Sequence, residues 1–212
     1  DLMIKEIIHR GPDSKNKYIS NTIAMGFTRL ARIDLSGGNQ PIVSKDKNKI
    51  LIFNGEIYNY KKLREYLKNI GYQFKSKSDG EVILALYEKQ ISEPELLLEG
   101  MFVYAIYDRV DESLTISRDR VGEKPLFYRF TEDGIIYSSE IKSLLVYSRK
   151  NKDLDTKSLS NFLTLGYTVG TFTAFKDIFS LEPGHRIFIK SGNVKIERWW
   201  EFPSLKEINK PT

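Results

Sequence analysis

Arg29, Asn54, Gly55 and Asp79 are the residues whose types suit acyl-transfer chemistry on a small amino acid. Such a substrate carries one anion and one cation on its α-carbon. A guanidinium forks onto a carboxylate, so Arg29 fits the anion. The Asp79 carboxylate fits the ammonium. An Asn side-chain amide and the next backbone N–H can converge on the oxygen of a tetrahedral intermediate, so Asn54 and Gly55 fit an oxyanion hole. Glycine at 55 lets the backbone approach a substrate without a Cβ in the way. Each group also has a plain structural reading. Asn-Gly between apolar runs is the strongest short signal for a type I′ hairpin. Asp79 follows Ser78 and precedes Val82, Ile83 and Leu84, as a helix N-cap or first-turn acid does. Arg29 fits a surface position. The catalytic reading requires a fold that brings these residues together.

Other chemistries find little in the chain. Its 212 residues contain no Cys, which excludes disulfides, thiolate metal sites and a cysteine nucleophile within them. His9 and His185 are the only histidines, show no metal-ligand spacing and read as hydrogen-bonded structural residues. No metal site is expected. There is no Walker-type phosphate loop and no G-x-S-x-G elbow. Trp199-Trp200 reads as a packing anchor. The net charge of +5 is spread over lysines interspersed with acids, as in Lys45-Asp46-Lys47-Asn48-Lys49, without a basic stripe. No nucleic-acid partner is expected. No apolar run approaches the roughly 18 residues of a membrane span, and no signal peptide opens the chain, so no membrane association and a cytoplasmic setting are expected.

The elements that would have to position these residues read as follows. Asp1 to His9 is the tail of a helix, ended by Arg10-Gly11-Pro12-Asp13. Thr22 to Phe27 is a strand, and Arg29 to Asp34 leads it into a loop. Lys49 to Phe53 and Glu56 to Tyr60 flank Asn54-Gly55. Helices are predicted over Lys61 to Ile70, Glu81 to Gln90, Pro94 to Leu98, Ile141 to Tyr147 and Leu159 to Leu165. Phe102 to Asp108 with Leu114 to Arg118 forms a hairpin, as does Leu126 to Phe130 with Gly134 to Ser138. Arg186 to Lys190 and Asn193 to Trp200 close the pattern. Antiparallel strands with grouped helices indicate α+β, with two sheets between helical layers. One domain over residues 1–202 and a polar linker over 203–212 are expected.

Taken in order, several segments resemble the glutaminase domain of the asparagine synthetase family. They are His9-Arg10-Gly11-Pro12-Asp13, Arg29-Leu30, Gln40-Pro41, Asn54-Gly55-Glu56-Ile57-Tyr58-Asn59, Ser78-Asp79-Gly80-Glu81-Val82-Ile83, Gly100-Met101-Phe102, Arg118-Asp119-Arg120, Gly122, Lys124-Pro125-Leu126, Ser139-Glu140-Ile141-Lys142 and Pro183-Gly184-His185. The resemblance runs from His9 to Trp200. It implies a class II glutamine amidotransferase with a four-layer αββα sandwich of the N-terminal-nucleophile hydrolase type. In that family an N-terminal cysteine attacks the side-chain amide of glutamine, and its own α-amino group serves as base. The resemblance makes L-glutamine the ligand. It places the substrate carboxylate on Arg29, the ammonium on Asp79, the oxyanion hole at Asn54 and Gly55, the pocket lining at Glu56 and Leu30 to Ile33, and Arg10 near the route of ammonia.

The chain departs from the family in three respects. The opening strand that bears the cysteine is absent. Phe27 stands where His is common, and Gly80 where Thr or Cys is common. No ATP-dependent synthetase domain follows, so that C-terminal domain is an expected partner. ATP and Mg²⁺ are expected only there, and no cofactor in this domain. Two functional readings follow: a glutaminase domain whose residues 1–212 lack the nucleophile, or an inactive amidotransferase-like binding or scaffold module. Without its first strand the sheet exposes an edge that invites association, for instance as a homodimer.

Overall fold

A computed structural model describes residues 1–30, 39–147 and 152–203. Helix α1 (Leu2–Glu6) and a 3-10 turn (Ile8–Arg10) lead into β1 (Ser14–Ile19) and β2 (Ala24–Arg29). Then come β3 (Ile42–Val43), β4 (Lys49–Ile57), α2 (Tyr60–Asn69), α3 (Glu81–Glu88) and a second 3-10 turn (Pro94–Leu97). β5 (Gly100–Asp108), β6 (Ser113–Arg118), β7 (Phe127–Thr131) and β8 (Gly134–Ser138) precede α4 (Ile141–Tyr147) and α5 (Thr156–Leu165). The described chain closes with β9 (Phe179–Ser180), β10 (His185–Lys190) and β11 (Asn193–Arg198).

The alternation of side chains along β4 and β5 produces the layers. Both strands are apolar on both faces, which requires cover on each side. Leu51, Phe53, Phe102, Tyr104 and Ile106 point to one face and pack with Leu63 and Leu67 of α2 and with Val82, Ile83 and Leu86 of α3. Ile50, Ile52, Val103, Ala105 and Tyr107 point to the other and pack with Met25, Leu126, Tyr128 and Leu181. These strands belong to an antiparallel six-stranded sheet in the order β11-β10-β6-β5-β4-β3. The layer facing it is two separate ribbons, β1-β2 and β8-β7-β9. Beyond them α1 packs on α4, with α1 also against β2 and α4 against β8. The result is an αββα sandwich, as the resemblance implied, with its second sheet divided in two.

Three sequence expectations change. Asn54-Gly55 is no hairpin turn: β4 runs straight through it, with Asn54 opposite Val103 and Gly55 opposite Phe102. Glu56 and Ile57 continue the ladder to Met101 and Gly100, so there is no reversal for a turn to make. The φ of Gly55 is +152°, and a Cβ there would run into the Met101 carbonyl oxygen. Asp79 is no N-cap either. Gly80 caps α3, without a side-chain cap bond. Finally, β1, β3 and β9 were not anticipated. β1 is a mostly exposed edge strand, Ser-Lys-Asn-Lys-Tyr-Ile, with no apolar alternation to reveal it. The other two have two residues each.

Candidate functional site

A cavity of about 800 Å³ opens between β2 and β8. Its floor is the face of β4 and β5 that carries Ile52, Asn54, Val103 and Ala105, and residues of α1 and α4 line it as well. Arg10, Arg29, Leu30, Asn54, Gly55, Glu56 and Asp79 all line this one cavity. Of the expected site residues, Ile33 lies outside the described residues.

Each polar group reaches the cavity for a local reason. Asn54 shares the strand face of Ile50 and Ile52, because side chains alternate with a period of two. That face turns toward the divided layer. Arg29 ends β2, opposite Ser14, and is only 8% exposed. Its Nη1 donates to Oδ1 of Asn39 at 3.4 Å. Asp79 precedes α3 and is 5% exposed. Its Oδ2 accepts the backbone N–H of Ile57 at 2.9 Å, which ties the head of α3 to the end of β4. Burial pushes the Asp79 carboxyl above its ordinary value, against the N–H bonds of Ile57 and Gly80, and the nearby Glu56 charge adds to the rise. A buried carboxylate held this way gains from a cation beside it.

Arg10 stands at the cavity with Glu140 as partner, Nη1 to Oε1 at 3.2 Å. His9 Nε2 lies 2.9 Å from the same oxygen, and Lys142 3.3 Å from the other. Partial burial works against the Glu140 charge, yet the bonds from Arg10, His9 and Lys142 hold its carboxyl below the ordinary value. His185 bonds the Pro183 carbonyl oxygen at 2.8 Å, and Trp199 stacks on Phe102 with ring centroids 6.3 Å apart. Among the described residues no three of the His, Asp and Glu side chains gather as metal ligands. No helix of the described residues is long and apolar enough to cross a membrane.

Several supporting residues were not singled out in the sequence for their geometry. The Gln40 amide brackets Phe53: its Nε2 donates to the Phe53 carbonyl at 2.7 Å and its Oε1 accepts the Phe53 N–H at 2.6 Å. That pair holds β4 one residue before Asn54. The fully buried Asp119 accepts the backbone N–H groups of Phe102, Val121, Glu123 and Lys124. It thereby folds the 119–124 loop against the residue opposite Gly55, and Lys124 lines the cavity. Gln40, Asp119 and Lys124 fell in segments quoted for the resemblance, and their order along the chain was the signal available. At Gly80 a Cβ would lie 2.8 Å from Phe53 Cδ1, so the Phe53 ring takes the space of a larger residue there. Phe27 lines the cavity and packs against the core beneath it.

A family model described as a glutamine amidotransferase domain matches residues 1–200. Glutamine-hydrolyzing asparagine synthetase 1 of Bacillus subtilis is 36% identical over 200 residues, covering 94% of this chain and 32% of that protein. Glutamine-hydrolyzing asparagine synthetase B of Escherichia coli is 41% identical over 154 residues, covering 71% of this chain and 27% of that protein. Among solved structures, the glutamine phosphoribosylpyrophosphate amidotransferase of B. subtilis, complexed with ADP and GMP, superposes with a TM-score of 0.58 at 23% identity. That match covers 84% of this chain and 35% of the other, and it is a likeness of fold. The chain spans about a third of the length of the curated relatives it matches.

Proposed function

We propose a glutamine-hydrolysing role from one premise: this chain belongs to the glutamine amidotransferase domain family, in the class II form found in asparagine synthetases. On this reading L-glutamine occupies the part of the cavity beside Arg29, Asn54, Gly55 and Asp79, and leaves the gap between β2 and β8 free. Its α-carboxylate lies on Arg29 and its ammonium on Asp79. Its side-chain amide points to Asn54 and the Gly55 N–H. The observation that carries the reading is that these groups, spread from residue 29 to residue 79, line one cavity.

Hydrolysis needs a nucleophile, and residues 1–212 contain no thiol. β2 pairs with β1 and β8 with β7, so each has an outer edge, and both line the cavity. A strand laid between them would complete the second sheet and bring its first residue beside Asn54 and Gly55. A cysteine there would attack the amide carbon while its α-amino group takes the thiol proton. The C–N bond then breaks, the proton passes to the leaving ammonia, and a thioester remains. Water releases it as glutamate. Asn54 and the Gly55 N–H hold the oxyanion in both steps. Ammonia would pass Arg10 to a synthetase domain that forms asparagine. ATP and Mg²⁺ would act in that domain, and no residue of this chain is assigned to them.

Thermal unfolding tests the site. Millimolar L-glutamine should raise the melting temperature of residues 1–212, and Arg29→Ala should remove the shift. No shift with the unaltered chain would discard the site and favour a scaffold module. Ammonia release tests the nucleophile. Residues 1–212 alone should release none from glutamine, whereas the chain preceded by its encoded upstream segment should. Release by residues 1–212 alone would refute the inserted-strand mechanism.

A further inference from the structure

β11 closes one end of the six-stranded sheet, and among the described residues it pairs with β10 alone. Natural edge strands are blunted by a bulge, a proline or a free charge, because their open N–H and C=O groups recruit other strands. β11 has none of the three. Its register with β10 runs unbroken from Asn193 opposite Lys190 to Arg198 opposite His185, and Asn-Val-Lys-Ile-Glu-Arg contains no proline. Lys195 is ion-paired with Glu197 and Arg198 with Glu201, so neither cation of the strand stands free.

The turn before β11 decides which backbone groups face outward. Ser191 and Gly192 have φ of +51° and +77°, the left-handed values that a two-residue type I′ hairpin requires. Such a turn bonds its first residue to its fourth, so Asn193 bonds to Lys190 of β10. Bonded and unbonded positions alternate along an antiparallel pair. Asn193, Lys195 and Glu197 therefore direct their backbone groups at β10, and the Trp199 N–H continues the series by donating to the Gly184 carbonyl at 2.8 Å. Val194, Ile196 and Arg198 direct theirs away from the sheet. Side chains alternate too. Val194 and Ile196 lie on one face, 39% and 42% exposed, with Ile196 beside the buried Ile187. Lys195 and Glu197 lie on the other.

We propose that β11 pairs antiparallel with β11 of a second copy, about a twofold axis at Ile196, joining two six-stranded sheets into one. A twofold interface must be self-complementary, residue i on j and j on i. This register meets that demand on both faces. Ile196 bonds its own counterpart, and Val194 exchanges bonds with Arg198 of the second copy, which uses every outward backbone group of the strand. Lys195 falls opposite Glu197 of the second copy, at unbonded positions, where side chains approach most closely. The four charges then alternate in sign, and the two Ile196 side chains meet on the apolar face. Moving the axis one residue either way would oppose Lys195 to Lys195 or Glu197 to Glu197, so charge selects this register.

Sedimentation equilibrium and directed disulfide formation test it. The unaltered protein should dimerise reversibly across a concentration series. Lys195→Glu, which opposes two carboxylates on each side of the axis, should raise the dimer dissociation constant about tenfold. A monomer throughout, or an unchanged constant, would overturn the proposal. Residues 1–212 contain no Cys, so an introduced thiol reports its own neighbours. Ile196→Cys should give a disulfide between copies under mild oxidation, since bonded pairs hold their Cα atoms about 5.5 Å apart, within disulfide range. Val194→Cys should give far less, because its counterpart lies four residues further along, roughly 13 Å away. Equal yields at the two positions, or none at residue 196, would also overturn the proposal. Neither measurement involves glutamine, so failure here and failure of the pocket reading remain distinguishable.

Discussion

The Asp79 carboxylate holds the backbone N–H of Ile57 at 2.9 Å, across 22 positions of sequence. One oxygen thus fixes the end of the strand that carries Asn54 and Gly55, in the cavity that the same carboxylate lines. An acid used this way has two duties, positioning β4 and offering a negative charge, and substitution separates them.

Asp79→Asn keeps an oxygen acceptor for Ile57 and removes the charge. The empty protein should melt no lower than the parent, since a buried ionised carboxylate with a raised pKa is a cost to the fold. Glutamine affinity should fall roughly ten- to hundredfold, the range for losing a hydrogen bond to a charged group. Calorimetric titration of both proteins measures it. Unchanged affinity would remove Asp79 from the site.

The same carboxyl predicts a pH dependence. Its folded pKa lies above 3.8, so its contribution to the stability of the empty protein is full below that value and is lost as pH rises through the raised folded pKa. Binding of the ammonium runs the other way, because it requires the ionised form. The melting-temperature gain from glutamine should therefore shrink as pH falls through the raised range, and Asp79→Asn should flatten that profile. Scans from pH 7 downward, with and without ligand, show whether it does.

Gly55→Ala tests close backbone approach at the proposed oxyanion hole. The new methyl meets the Met101 carbonyl oxygen, on a backbone with φ of +152°. Gly134, with φ of +128°, has nothing within 4 Å of an added Cβ. Gly134→Ala should cost about 1–3 kcal/mol from conformation alone. Gly55→Ala should cost more, lowering the melting temperature by at least about 5 °C at the usual 2–4 °C per kcal/mol for this size. Equal losses would mean that the space at residue 55 is unimportant.

Asp119→Ala should be among the most damaging changes remote from the ligand groups. It removes the acceptor of four backbone N–H groups, of which that of Phe102 is buried and the other three are partly buried. An unsatisfied buried donor costs about 1–3 kcal/mol and a partly buried one less, so a total loss above about 2 kcal/mol is expected. Urea denaturation gives the figure. A loss below 1 kcal/mol would show that the loop re-forms its bonds elsewhere.

Helices and apolar strands were legible because burial leaves a period in the sequence. The α3 residues Val82, Ile83 and Leu86 and the two-faced strand β5 announced themselves this way. β1 did not, since an edge strand facing solvent has no apolar set to repeat. The αββα architecture followed from resemblance, and the ordering of motifs also pointed to residues that line one cavity. Local pattern misled at Asn54-Gly55, where hairpin chemistry is present without a hairpin.

The sequence by itself determined which groups are available: one guanidinium, one carboxylate and one Asn-Gly amide pair suited to a small zwitterion, and no thiol. Only the tertiary structure decided that they face a common cavity, that β4 runs on past Asn54, and that the second sheet stands open between β2 and β8. The physical reason is range. Periodicity reports what each residue has on its own side of a strand or helix. The ladder that keeps Asn54 opposite Val103, and the bond that reaches from Asp79 to Ile57, join residues tens of positions apart and leave no local trace.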